Sequence, residues 1–210
     1  MSITLPILPI ARARVFRECA NILRPLACPH PELAMPIILP IPSMAGTTTA
    51  RLIFRHPVLE DHTWWMEYMN NAEAIRFMPF TLGSMADCTG FIQRSLDRIA
   101  RDGSCLNVIS DRATNKPLGM VGLLTQEVDG IAELEIGYHL LPSAWGQGYA
   151  TEAAKACLAF AREHQLAPSV ISLIDHDNQK SQAVARRNGM AFEKNTVHRG
   201  IPAMVFRAWL

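Results

Sequence analysis

No C-x-x-C pair occurs in this chain of 210 residues, and its five cysteines, Cys19, Cys28, Cys88, Cys105 and Cys157, are odd in number and scattered. That argues against a disulfide frame and a cysteine zinc site, and fits reduced thiols used as buried filler in a cytoplasmic protein. An excess of charge of one sign is also missing. Twenty Lys and Arg stand against nineteen Asp and Glu, for a net charge of +1, so no basic face for nucleic acid is expected. No apolar run approaches the roughly 20 residues needed to cross a bilayer, so no membrane partner is expected. Neither His139 nor His176 has a second histidine or cysteine at metal-ligand spacing, and no metal is expected. What remains is a chain long enough for one enzyme domain with a sizeable core, as a monomer or homodimer.

Proline is unevenly spread. Eight of the fourteen prolines lie in the first 46 residues, where the acidic residues are only Glu18 and Glu32. Ala11 to Leu23 has the spacing of a short arginine-bearing amphipathic helix. A secretory signal fits poorly, because the apolar part precedes the arginines. An organelle-targeting segment and a start at Met44 stay open. The expected division is a poorly ordered Pro-rich extension over 1–46 and a catalytic domain over 47–210.

From Arg51 the elements are legible. A strand over Arg51–Arg55 precedes helices over Leu59–Asn70 and Ala72–Met78. Ser84 caps a further helix that Gly103 ends, with Met85, Cys88, Phe91, Ile92, Leu96 and Ile99 as its apolar stripe. Strands follow over Cys105–Ser110, Leu118–Val128 and Ile131–Leu141, the last two joined by an Asp129-Gly130 turn. A helix over Gly148–Gln165, a strand over Val170–Ile174, a helix over Asn178–Asn188 and strands over Ala191–Val197 and Ala203–Trp209 complete an α/β pattern. Strands running both ways imply a mixed sheet flanked by helices. Trp64, Trp65, Tyr68, Phe77 and Phe80 are candidates for a pocket wall or for core.

The most informative run is Glu135-Ile-Gly-Tyr-His-Leu-Leu-Pro-Ser-Ala-Trp-Gly-Gln-Gly-Tyr-Ala-Thr-Glu-Ala153. A glycine-bearing loop that opens a helix presents unpaired N–H groups backed by the positive end of the helix dipole, a cradle for pyrophosphate. A ligand-free turn, a nucleotide site and a CoA site all use such a loop. A Walker loop is excluded, since no Gly-Lys-Ser/Thr follows. A dinucleotide fingerprint is nearly present, but Thr151 stands where the third Gly or Ala belongs. Asp175 after the next strand imitates its ribose-binding acid, which keeps an NAD-binding oxidoreductase as a competing reading.

The whole run resembles the acyl-CoA-binding motif of the GNAT N-acyltransferases, most closely the branch of ribosomal-protein-alanine N-acetyltransferases. The resemblance covers about Arg51 to Leu210. It implies the GNAT (acyl-CoA N-acyltransferase) fold, a mixed, mostly antiparallel sheet flanked by helices, and acetyl-CoA as co-substrate with an amine acceptor, either a small molecule or a protein N-terminus. It assigns Gly146, Gln147, Gly148, Tyr149, Ala150 and Thr151 to the pyrophosphate. It also implies that the strand carrying Tyr138, His139 and Leu140 splays from Val170–Ile174 to expose backbone groups to the pantetheine arm. Asn178 and Ser181, at the start of the next helix, are placed on the CoA arm, with Ser181 also able to donate to the leaving thiolate. Helix capping is the plainer use of both. The family's tyrosine acid falls here on Ala185, with Met190 where Phe is usual. Trp145, where the broad superfamily has Gln or Arg, is expected to pack the loop.

Transfer from a thioester requires that an amine be positioned and lose a proton and that the thiolate be stabilised. Glu133 and Glu135 alternate on one strand face, about 7 Å apart at their α-carbons, so that two acids together raise one pKa toward a base's range. Glu135, where the resembling branch has an acid, is the expected base, acting directly or through a water. A GNAT-like module that binds acyl-CoA without turnover is the alternative from another class.

Overall fold

The computed structural model describes residues 36–210. The expected Ala11–Leu23 helix lies outside them. Seven strands form one sheet in the order β1-β2-β3-β4-β5-β7-β6. They are β1 Leu52–Arg55, β2 Cys105–Asp111, β3 Pro117–Val128, β4 Ile131–Leu140, β5 Ser169–Ile174, β6 Ala191–His198 and β7 Ile201–Trp209. Among the described residues five α-helices accompany them: α1 His62–Met69, α2 Ala72–Ile75, α3 Met85–Asp102, α4 Tyr149–Glu163 and α5 Gln179–Arg187. β4 and β5 run parallel and every other pair is antiparallel. That topology is not the parallel doubly wound sheet a dinucleotide fold requires.

Local chemistry explains the boundaries. The Ser84 hydroxyl accepts the Asp87 N–H at 3.1 Å, and Gly103 closes α3 in the left-handed region. Asp129 and Gly130, both at positive φ, make the tight turn between β3 and β4, as an Asp-Gly pair favours. The expected helix over Leu59–Asn70 divides into one 3-10 turn, Leu59–Asp61, followed by α1. Asp61 sits at that junction. It receives the Val58 N–H at 2.8 Å and the Trp64 indole at 2.7 Å, and pairs with Arg55. On α3 the buried face is Cys88, Phe91, Ile92 and Ser95, whereas Met85 is 48% exposed. The stripe therefore begins one turn later than its apolar residues suggest.

Among the described residues two main cores lie on the two faces of the sheet, beside a small third cluster of Val128, Ile171 and Val205. α4 contributes Ala153, Ala154, Cys157, Leu158 and Ala161 to one, against Leu123, Leu134 and Ile136. The small side chains let the helix axis approach the strands closely. Trp65, Tyr68, Phe91, Ile92, Val108 and Met120 form the other. Trp65 is stacked 4.4 Å from Tyr68 and 5.5 Å from Phe91, so these aromatics are core and not an open pocket wall. Cys88, Cys105 and Cys157 are free and buried, and burial pushes the Cys105 thiol up to about 12.

The packed domain starts earlier than the expected boundary at residue 46. Ile41 and Met44 lie in the α4-side core, the Ile38 N–H donates to Leu166 O at 2.8 Å, and the Ile41 N–H donates to Asp102 O at 2.8 Å. A Cβ at Gly103 would fall 2.2 Å from the Ile41 carbonyl oxygen, so the strap needs glycine there. Proline richness misled here, because a segment can be irregular and still bury its apolar residues.

Candidate functional site: a helix-start cradle and a splayed seam

Gly146 and Gly148 both take positive φ, 73° and 81°, and Gly148 is the N-cap of α4 without a capping side chain. Among the described residues none of the N–H groups from Gly146 to Thr151 has a protein acceptor; the first to pair is that of Glu152, with Gly148 O at 3.0 Å. Six N–H groups without protein acceptors thus lead into and open a helix of 15 residues, at whose positive end an anionic group binds favourably. Gln147 turns its side chain away, donating to Ser143 O at 2.9 Å.

Arg51 holds this loop, and motif reading missed it. Its guanidinium donates to Gln147 O at 2.9 Å, lies 4.3 Å from the centre of the Tyr149 ring and pairs with Glu152 at 2.7 Å. Burial opposes the Glu152 charge, but hydrogen bonds from the Thr49 hydroxyl and from Arg51 keep its carboxyl below the usual range. The pairing spares the cradle a bare negative charge. Trp145 packs the loop as expected, its indole donating to Leu140 O at 2.8 Å. That contact takes the Leu140 carbonyl, one of the groups expected to face the pantetheine arm.

From the cradle a seam runs between β4 and β5. The two strands share a single registered pair, Glu135 with Ile171. Beyond it side chains replace the ladder: the Ser172 hydroxyl donates to Ile136 O at 2.9 Å, and the Leu173 N–H makes a long contact of 3.4 Å to the Glu135 carboxylate. Buried backbone groups need partners, and these two insertions supply them while keeping the strands apart. The Tyr138 hydroxyl bridges the far side, donating to Ser181 O at 2.9 Å at the start of α5. Burial raises the Tyr138 pKa above its ordinary value. Asn178 caps α5 by accepting the Ser181 N–H at 3.1 Å, and the Ser181 hydroxyl has no partner among the described residues. Ala185 is fully buried.

The two acids of β4 part company. Glu133 is claimed by Arg207 in a bidentate pair at 2.7 and 2.9 Å. Glu135 is 8% exposed and accepts the Gln126 amide at 2.7 Å. Burial drives its pKa upward, against the lowering effect of the Gln126 and Leu173 contacts and of the His198 and Arg98 charges. The expected mutual repulsion of Glu133 and Glu135 is therefore not what shifts it. His139 is turned to the other core, 3.3 Å from the Tyr68 hydroxyl and edge-on to Phe91, and burial lowers its pKa to about 4. His176 is exposed on the loop before α5.

A family model described as the acetyltransferase (GNAT) domain matches residues 51–191. The chain belongs to the GNAT acetyltransferase family, and the fold is the GNAT fold. The uncharacterized protein YkkB of Bacillus subtilis strain 168 is 36% identical over 92 residues, which are 44% of this chain and 54% of YkkB, about half the length of that relative. An acetyltransferase from Agrobacterium tumefaciens strain C58 superimposes with a TM-score of 0.69 at 25% identity, covering 80% of this GNAT chain and 96% of its own. RimL, a ribosomal α-N-protein acetyltransferase solved with coenzyme A, shares the fold with a TM-score of 0.63 at 18% identity over 79% of this chain and 97% of its own. Among the described residues no helix is long and apolar enough to cross a membrane.

Proposed function

We propose that this GNAT domain transfers an acetyl group from acetyl-CoA to a primary amine, with Glu135 as general base. The observation that carries the reading is the six-donor cradle at the start of α4, in the loop that directly follows β4, the strand whose single pair with β5 is at Glu135. The pyrophosphate would take the N–H groups of Gly146 to Thr151, and Gly148 lacks the Cβ that would hinder its approach. The pantetheine arm would lie along the backbone of Tyr138 and His139, since the Leu140 carbonyl is already taken by Trp145. Solved relatives of the same fold hold this class of ligand: RimL with coenzyme A and the MccE self-immunity acetyltransferase with acetyl-CoA and AMP.

In the reaction the amine nitrogen attacks the thioester carbonyl carbon, the C–S bond breaks and the amine proton passes to Glu135, directly or through a water. A buried carboxylate with a raised pKa suits that task better than a solvated one, because its affinity for a proton is closer to the working pH. The departing sulfur needs a proton or a hydrogen bond. Ser181, whose hydroxyl is uncommitted, is the candidate donor where Ala185 supplies none; the Tyr138 hydroxyl is already spent on Ser181 O.

The test is release of free thiol from acetyl-CoA over a panel of primary amines, alongside calorimetry with CoA, acetyl-CoA and NAD. Micromolar binding of both CoA forms, no binding of NAD and amine-dependent thiol release are expected. Tight CoA binding without thiol release from any amine would instead favour the non-catalytic acyl-CoA module, a reading that Ala185 at the tyrosine position keeps specific.

A further inference from the structure

Glu135 does not stand alone at its end of the seam. Gln126, on β3, donates through Nε2 to Glu135 at 2.7 Å and accepts through Oε1 from two guanidinium groups, Arg98 at 3.5 Å and Arg199 at 3.3 Å. Arg98 comes from α3 and Arg199 from the turn joining β6 to β7, so two distant elements bring cations to one neutral amide oxygen. Arg98 is fixed by a second bond, to Thr125 O at 2.9 Å. Among the described residues neither guanidinium has a carboxylate within ion-pair distance. Asp102, the other acid nearby, is committed to Arg101, Ser104 and Thr125.

Such a placement is electrostatically unfinished. Arg98 is half-buried, and burial together with the positive charges of Arg101 and Arg199 pulls its pKa below the ordinary value. A guanidinium pays for desolvation when it meets an anion in a forked, hydrogen-bonded pair. Here two of them share an acceptor with no net charge. His198 adds a third potential cation beside Glu135. With Glu135 ionised, Arg98 and Arg199 outnumber the free carboxylates, and the surplus grows when Glu135 takes a proton.

We propose that Arg98 and Arg199 form a receptor for an anionic group carried by the acceptor, so that the preferred substrate is an amine with a carboxylate or phosphate in the same molecule. The inference rests on the reading of Glu135 as the base: the acceptor's amine faces Glu135 while its anion displaces the weak Gln126 contacts of the two arginines, one amide group away. A second amine at that place would meet like charge, so diamines are disfavoured.

The experiment measures kcat/KM by thiol release with 4-aminobutanoate, 3-aminopropyl phosphate, 1-butylamine and 1,4-diaminobutane. At least one anionic amine is expected to exceed 1-butylamine tenfold or more, with 1,4-diaminobutane the poorest, and the two anionic arms distinguish carboxylate from phosphate. Arg199→Gln, on an exposed turn where folding is not at stake, is expected to cut the anionic-to-neutral ratio at least fivefold through KM, and Arg199→Lys to restore most of it. Added salt should shrink the ratio too. Equal kcat/KM across the four amines, or a ratio unchanged in Arg199→Gln, would overturn the receptor and leave acyl transfer standing. Thiol release from no amine of the wider panel would overturn both.

Discussion

Glu133 and Glu135 share a strand and a face, yet their neighbours give them different work. Glu135→Gln keeps shape and hydrogen bonding but cannot accept a proton, so acetyl-CoA affinity should persist while turnover falls roughly 10²–10⁴-fold. The deficit should shrink as pH approaches the amine's own pKa, where free amine needs no base; a pH–rate profile checks it. Stability has its own sign. Burial raises the Glu135 pKa above its ordinary 4.5, so the folded state favours the protonated acid. The benefit is complete below that ordinary value and is lost as pH rises through the raised one. Glu135→Gln should therefore gain stability relative to wild type toward neutral pH, as thermal melts between acid and neutral pH would show. Glu133→Gln instead strips Arg207 of its bidentate partner. We expect a loss of about 1–3 kcal/mol, between an exposed and a buried pair, because both partners are 12% exposed and Glu193 still receives Arg207 Nε at 2.7 Å. A large turnover defect in a stable Glu133→Gln protein would move the base two residues upstream. The position of Glu135 was legible in the sequence; that Arg207, 74 residues away, would claim Glu133 was not.

At the scale of elements, the motif loop was the most legible part and its support the least. Glycines before a helix announce the cradle because few other residues tolerate both left-handed backbone and close ligand approach. Turns and caps such as Ser84, Gly103 and Asp129-Gly130 were readable for the same reason, since each solves a local problem. Arg51 and Gln126 act across the fold, and no local pattern marks them. The strand bounds fell within one or two residues, whereas the first helix lost a turn to 3-10 geometry where Asp61 bonds the chain ahead of it. For the loop itself, Gly148→Ala is the sharper substitution. Its Cβ would meet little, the nearest atom being Arg51 Nη2 at 3.6 Å, but a φ of 81° strains any side chain, by about 1–2 kcal/mol. Acetyl-CoA affinity should fall at least tenfold, about 1.4 kcal/mol, and the melting temperature by a few degrees. Unchanged affinity by calorimetry would mean that the pyrophosphate lies elsewhere.

At the scale of the molecule, residues 37–44 belong to the fold, and removing them has a cost. Burying one isoleucine is worth about 1.5–3 kcal/mol, and Ile41 is 4% exposed. A chain beginning at Met44 should melt several degrees below one beginning at Pro36, a difference calorimetric melts would show; identical melting would make the strap dispensable. The seam has a wider consequence. With one registered pair joining β4 to β5, the sheet divides into two antiparallel ladders, of four and three strands, that rest on one shared core. A cosubstrate lying along the division would touch both ladders at once. Affinity for acetyl-CoA and the alignment of an amine with Glu135 would then be set together, by the same contacts across the gap between the ladders.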